Sequence, residues 1–345
     1  MRAVVYHGPD EVRVREVPDP QVPGPDGALV RVTVAGICGT DLHVIHGDFP
    51  GVTPGMIVGH EFVGEVVAIG SRVRRLSLGD QVMASDFTAC GRCRWCDRRQ
   101  HWHCADRSFF GTGTSFGPAI PGAQAELVAV PHADTTLGRL PPGLSPDAAI
   151  LLGDNLATAW SALERAGLEP GERLAVIGGG PVGQLIAACA LAVGAGLVVM
   201  VEPTPGRRAI AEARGVLTVA PAEAASFVSS VTEGDGVDVV VEAVGALATM
   251  DSSLSLVRRA GRVVSVGAHA APQWSLPIAE SFSRELNLSF VIGDSIKHRD
   301  RLAQMVAGGA VDPTFVIDGR VRLDQVPDAY AMLKAQQRMK IIIDF

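Results

Sequence analysis

The sequence predicts an α/β protein of two domains, an irregular antiparallel β domain and a doubly wound parallel sheet. Three observations carry that prediction. The chain has 345 residues, more than one core usually serves. Its texture changes near residue 155, from short β segments punctuated by Gly and Pro to alternating strands and helices. At the start of the second texture a strand runs into three glycines and then a helix.

Taken in order, "RAVVYHG", "VRVREV", "ALVRVTVAGICG", "FVGEVVAIG" and "DQVMAS" alternate apolar and polar positions or run apolar. Each reads as a strand of the first domain. "RLAVIGGG" is then a buried strand, and "PVGQLIAACALAVGA" the helix after it. "LVVMVE" is the next strand, and "PGRRAIAEARG" a helix stopped by Gly215. "VLTVA" and "VDVVVEAVG" are strands separated by the helical "AEAASFVSSVTEG". "ALATMDSSLSLVRRAG" reads as a helix, followed by the strands "RVVSVGA" and "LNLSFVIGD". The last residues return to mixed texture and finish on the β run "KIIIDF". This division places residues 1–153 and 297–345 in the first domain and 154–296 in the second.

The apolar run from Leu185 to Val201 is long enough to suggest a membrane span. Gly194-Ala195-Gly196 divides it, so it reads as a buried helix followed by a buried parallel strand. The N-terminus lacks the apolar stretch of a secretory signal, which points to a cytoplasmic protein. A formal charge of −7 and the lack of any Lys/Arg run argue against a nucleic-acid partner.

Gly178, Gly180 and Gly183 make the pattern G-x-G-x-x-G, with Pro181 and Val182 between the last two. The first glycine permits the tight turn, the second a close approach of backbone to a pyrophosphate, and the third close helix–strand packing. Glu202 ends the next strand at about the 20-residue spacing of a ribose-binding carboxylate. A carboxylate accepts from a ribose 2′-OH and repels a 2′-phosphate, so NAD is favoured over NADP. Arg207 and Arg208 lie close enough beyond it to soften that choice. The alternative is a glycine-rich βα turn in an unrelated α/β protein.

Four of the six cysteines, Cys90, Cys93, Cys96 and Cys104, follow C-x2-C-x2-C-x7-C. A reducing compartment disfavours structural disulfides there. Four thiolates suit a closed tetrahedral zinc site, and the last gap departs from the usual iron–sulfur run. His101 and His103 lie in the same lobe, about 88–108, as possible substitutes. A closed site holds a lobe together and leaves no position for substrate. A second, dispersed set comprises "GICGTDLH", with Cys38, Thr40, Asp41 and His43, and "GHE", with His60 and Glu61. A catalytic zinc needs three protein ligands and an open position. Taken singly, Cys38 reads first as a buried small hydrophobe rather than a ligand, and His60 as a satisfied turn histidine.

Along the chain "GICGTDLH", "GHE", the four-cysteine lobe and "GGGPVG" follow one another, and in that order they resemble the zinc-containing medium-chain alcohol dehydrogenases over essentially the whole chain. The resemblance implies a GroES-like catalytic domain and a Rossmann domain inserted into it. It assigns a catalytic zinc to Cys38, His60 and Asp154, the last standing in "LLGDNLATAW" where the family commonly has Cys. A structural zinc at the four-cysteine lobe makes two per chain. Glu61 resembles the family's carboxylate close to the metal. Thr40 stands where the substrate oxygen is bound, and His43 at the outer end of the proton relay. Thr158 falls at the nicotinamide contact, Arg207 beside the adenosine ribose, and Lys340 near the pyrophosphate.

The implied reaction is reversible hydride transfer between an alcohol and NAD, with zinc as a Lewis acid toward the substrate oxygen. Thr40 takes the alcohol proton and passes it through the cofactor ribose to His43. Three other readings compete. "YAMLK" offers the Tyr-x-x-x-Lys of short-chain dehydrogenases, but Val326, Ala329, Tyr330 and Leu333 form an ordinary amphipathic helix face. A zinc-free reductase of the same superfamily would not need the metal residues, and a non-catalytic NAD sensor would need no relay. Pocket candidates are Asp86, Phe87, Phe110 and Asn155. Asp86 and Asn155 suit a hydroxylated substrate such as a polyol or sugar, or face water as loop residues. Family members are dimers or tetramers paired through the last Rossmann strand, here "LNLSFVIGD".

Overall fold

The computed structural model describes residues 1–269 and 271–345. The chain divides into two compact units, Met1–Ala157 with Asp294–Phe345, and Thr158–Gly293. The breaks thus fall a few residues from the sequence-based ones, and local bonding gives the reason. Asp154 and Asn155 bond to Cys38 and Glu61, while Asp294 and Ser295 bond to His101 and Ser85.

The first unit opens with β1 (Arg2–Gly8), β2 (Glu11–Glu16), β3 (Ala28–Ile37) and β4 (Phe62–Ile69). β5 (Gln81–Ala84), β6 (Leu127–Val130) and β7 (Leu137–Arg139) come next. The second unit contributes β8 (Arg173–Ile177), β9 (Leu197–Val201), β10 (Leu217–Val219), β11 (Val237–Glu242), β12 (Val257–Ser265) and β13 (Asn287–Phe290). The chain then returns to the first unit with β14 (Gly319–Arg322) and β15 (Ile341–Asp344).

In the first unit the sheet order is β14-β15-β3-β4-β5-β7, with β6 also on β3, while β1 and β2 form a separate hairpin. β15 pairs with β3 through Ile341↔Ile37 and Ile343↔Ala35, so the last strand lies in the interior of a sheet begun by residue 28. β3 and β4 slip register between Val32 and Val34, just before Gly36. Such a bulge bends the strand and re-aims the residues beyond the bend. Val30, Val66, Phe62, Phe110, Tyr330 and Ile341 meet in the core of this unit.

The second unit has the parallel order β10-β9-β8-β11-β12-β13. Strand order reverses between β8 and β11, and ligands of such sheets bind at the carboxyl ends there. Ala175, Ile177, Val199, Val240 and Val263 fill its core. The run Leu185–Val201 divides into the end of the helix Pro181–Ala192 and β9, with Gly194 at φ +90° between them. No helix among the described residues is long and apolar enough to cross a membrane. The helix read from "ALATMDSSLSLVRRAG" stops at Leu256. Val257 instead pairs with Val237, and Arg258 bonds to the Asp238 carboxylate, which draws this stretch into β12.

Candidate active site and metal centres

Cys38 comes after β3 with extended backbone and immediately precedes the helix Gly39–His46. Asp41, in that helix's first turn, is wholly buried and organises its surroundings. Its carboxylate accepts from the Cys38 N–H at 2.9 Å, from His60 Nδ1 at 2.9 Å and from Gln124 Nε2 at 3.4 Å. Gln124 is held in turn by the Tyr330 hydroxyl at 3.0 Å. With its Nδ1 held by Asp41, His60 turns Nε2 inward. That atom is buried without a hydrogen-bond partner and lies 3.4 Å from Asp154 Oδ2. Cys38 Sγ is also 3.4 Å from Asp154 Oδ2.

One ligand atom each from Cys38, His60, Glu61 and Asp154 thus falls within 4.8 Å of the others. An imidazole nitrogen, a carboxylate oxygen and a thiol sulfur converge. Burial pushes the His60 pKa down, but Asp41 and Asp154 outweigh it and hold the imidazole well above its usual value. Burial and the carboxylates of Asp154 and Glu61 push the Cys38 thiol up. Burial also pushes Asp154 up, but contacts with His60 outweigh it and hold this acid below the usual carboxylate range. The cluster therefore calls for positive charge, and sulfur, nitrogen and oxygen donors suit zinc. An Asp hydrogen-bonded behind a His ligand is the usual orienting arrangement.

Glu61 lies behind these groups. Its Oε1 accepts from Asn155 Nδ2 at 2.9 Å, and its Oε2 from Lys340 Nζ. Burial raises its pKa to about 7 against the opposing pull of Lys340. Gly36 makes room for it, since a Cβ there would come within 1.9 Å of Glu61 Oε2. The expected place of Lys340 by the pyrophosphate is thereby corrected. The side chain is fully buried and its ammonium is committed to Glu61. Asn155 is likewise a positioning group rather than a pocket wall, its amide bonding both Glu61 and Asp154.

Thr40 Oγ1 is 4.0 Å from Cys38 Sγ, and His43 stands one turn further along the same helix face. His43 Nδ1 meets Asp48 at 2.8 Å and is open to water. Phe87 and Phe110 are fully buried, the first packed on Trp102 and the second on Phe62. They are core residues, not pocket residues. Phe109 is the aromatic that faces the site, with its ring 5.2 Å from that of His60. Asp86 is only 6% exposed, so it is not a loop residue facing water.

The sulfurs of Cys90, Cys93, Cys96 and Cys104 also lie within 4.8 Å of one another, and all four are free thiols. The Cys90 N–H donates to Cys104 Sγ at 3.2 Å. Backbone N–H groups, that of Cys96 foremost, lower the Cys93 pKa to about 6, which favours a thiolate. The two lobe histidines face away from this cluster. His101 gives its backbone N–H and Nδ1 to Asp294 at 2.8 and 3.1 Å, and the His103 ring packs on Trp95.

In the second unit Gly178 has φ +102°, and a Cβ on Gly183 would meet the Gly178 carbonyl at 1.9 Å. Around Gly180, where the helix Pro181–Ala192 begins, a Cβ would meet nothing within 4 Å. Half-buried Pro181 and Val182 form its first turn. Glu202 ends β9 and accepts from the N–H groups of Gly179 at 2.7 Å and Thr204 at 2.8 Å. Arg207 is half-buried and Arg208 donates to the Glu202 carbonyl. Thr158 packs against Gly293.

The reading of the sequence placed Asp41 in the dispersed set without giving it a role, and it did not single out Gln124, Phe109 or the Tyr330 hydroxyl as parts of the site. Only Asp41 carried a local signal, an Asp three residues after the residue preceding a helix.

A dinucleotide-type sheet in one chain with two zinc-type donor sets defines a class of metal-dependent oxidoreductases. The model of the alcohol dehydrogenase GroES-like domain matches residues 24–141, and that of the zinc-binding dehydrogenases matches residues 181–308. The chain belongs to the zinc-type, medium-chain alcohol dehydrogenase family. It is 38% identical to a "Probable zinc-binding alcohol dehydrogenase" of Mycobacterium tuberculosis, over 97% of this chain and 86% of that one. Alcohol dehydrogenase TADH from Thermus sp. ATN1 superposes with a TM-score of 0.95 at 37% identity, covering 100% and 99% of the two chains. A Sinorhizobium meliloti protein solved with NADP bound superposes with a TM-score of 0.86 at 31% identity, covering 100% and 99%.

Proposed function

We propose that the protein catalyses reversible oxidation of a primary or secondary alcohol to an aldehyde or ketone, using NAD in preference to NADP. The observation that carries this reading is the convergence of Cys38 Sγ, buried and unpartnered His60 Nε2, and Asp154 Oδ2. A zinc ion held by these three residues would supply Lewis acidity toward the substrate oxygen, and the nicotinamide a hydride acceptor. The chain's own residues do the rest. Asp41 fixes the tautomer and direction of His60. Thr40, on the first turn of the helix, offers its hydroxyl to the substrate proton. His43, exposed and held by Asp48, exchanges protons with water. Lys340 and Asn155 hold Glu61 behind the ligands.

The NAD preference rests on the Glu202 carboxylate at the end of β9, which would repel a 2′-phosphate. A second zinc at the cysteine lobe has a structural role, and both thiol sets suit a reducing cytoplasm. Self-association through β13 is part of the proposal. β13 is a sheet edge, and Phe290, Ile278 and Phe282 stand exposed on and near it.

The test is a panel of alcohols offered with NAD and with NADP, read by absorbance of the reduced nicotinamide, alongside zinc counts per chain. Glu202→Ala should move the preference toward NADP. Absence of turnover by protein carrying two zincs per chain, with every alcohol tried, would overturn the reading.

A further inference from the structure

We infer that Asp86, flanked by Ser85 and Ser295, is a substrate-binding group that takes a second hydroxyl of the substrate. This rests on the proposed alcohol oxidation and names the substrate class as diols and polyols.

Asp86 is a buried acid that the reaction described above leaves unused. No lysine, arginine or histidine pairs with it among the described residues, although it is only 6% exposed. Such a group is costly to bury unless it is served by hydrogen bonds. One of its oxygens is served. Oδ1 accepts from Ser85 Oγ at 3.3 Å, and Ser295 Oγ, which donates to Ser85 Oγ at 2.7 Å, lies 3.3 Å from the same oxygen. No described residue donates to Oδ2.

The backbone ties this acid to the metal-ligand set. The Asp86 N–H donates to the Gly153 carbonyl, directly before Asp154, at 3.3 Å. The Asp86 carbonyl accepts from the Phe110 N–H at 3.2 Å, directly after the Phe109 ring that packs on His60. Burial and the Asp154 charge hold the Asp86 carboxyl well above its usual pKa, so the acid senses the cluster electrostatically.

The choice of ligand comes from charge and from the neighbours. An ammonium group would be repelled by the cation that the Cys38–His60–Asp154 set is built to hold. A hydroxyl matches what the site already uses, since both existing partners of Asp86 are hydroxyls. A simple alcohol would leave Oδ2 without a partner from the substrate. Sites built to bond a hydroxyl reject analogues lacking it by far more than apolar pockets reject a missing methylene.

The experiment uses zinc-loaded protein and substrate pairs matched in carbon skeleton. These are hexane-1,2-diol with hexan-2-ol, cyclohexane-1,2-diol with cyclohexanol, and propane-1,2-diol with 1-aminopropan-2-ol. The diol is expected to exceed its single-hydroxyl partner in kcat/KM by at least about 100-fold. In Asp86→Ala that ratio should collapse to within a few-fold. Asp86→Asn, of the same shape, guards against misfolding and should give an intermediate ratio with both zincs retained. Calorimetric titration of the diol provides a second readout, with heat expected from the parent and lost in Asp86→Ala. Equal use of diol and single alcohol would sink this inference while leaving alcohol oxidation intact. Preference for the amino alcohol would overturn it in favour of a cation. Diol binding that is absent from the parent, or unchanged in Asp86→Ala, would overturn it whether or not any alcohol is oxidised.

Discussion

Lys340 and Glu61 form an ion pair closed to solvent, their side chains 1% and 0% exposed. The pair backs the atoms that would hold a catalytic ion. Removing Lys340 leaves the Glu61 carboxyl buried without its counter-charge. Lys340→Met should therefore cost roughly 3–5 kcal/mol, the usual penalty for orphaning a buried charge. Lys340→Met with Glu61→Gln should recover part of that loss, and urea unfolding of the two variants makes the comparison.

Gly36 has a steric duty toward the same carboxylate. A methyl group there would come within 1.9 Å of Glu61 Oε2, and the position sits in β3 between paired strands. Gly36→Ala should destabilise by about 1–3 kcal/mol through overpacking. If the clash with Glu61 is the cause, Gly36→Ala made on a Glu61→Ala background should cost far less. Equal melting-temperature losses on both backgrounds would contradict it.

The two donor sets should separate in metal analysis. Asp154→Asn is expected to carry one zinc per chain instead of two, with turnover lost and the fold retained. Cys93→Ser should lose the other zinc and melt at a lower temperature, because the lobe core of Phe87, Cys96, Cys104 and Phe109 is organised around the sulfurs. Elemental analysis and thermal melts distinguish the two outcomes.

Acid sensitivity should arise partly from Asp238. Burial pushes its pKa up, but the Arg173 N–H and the guanidinium groups of Arg258 and Arg173 outweigh it and hold it below the usual range. A folded-state pKa below the unfolded value of about 3.9 adds stability that is present above that pH. It is lost as the pH falls through the lower, folded value. Asp238→Asn should thus cost about 1–2 kcal/mol at pH 7, and the gap to the parent should narrow below about pH 4. Urea titrations at pH 7 and 3.5 measure both gaps.

Features with a local cause were legible in the sequence. Gly178, Gly180 and Gly183 act through a single turn, and the lobe cysteines through short gaps along one segment, so spacing alone exposes them. The helix end at Leu256 was misplaced because pairing of Val257 with Val237 overrides the helical pattern of "LVRR". Partners far apart in the chain leave no pattern at all. Lys340 is 279 residues from Glu61, and Ser295 is 209 from Asp86. Phe109 and Phe110 illustrate the limit at the shortest range. They are adjacent and chemically identical, and only the fold decides that one faces His60 and the other Phe62.

The interior position of β15, between β14 and β3, has a consequence for how the chain is made. The sheet that ends at Cys38 lacks an internal strand until residues 341–344 have left the ribosome. The inserted unit, Thr158–Gly293, is continuous in sequence and is fully translated earlier. Synthesis from the N-terminus therefore delivers the cofactor-type unit ready to fold while the metal-type unit waits. The Cys38 thiol emerges early and the sheet that carries it is completed last, so it stays open to oxidants and to competing metals for most of translation.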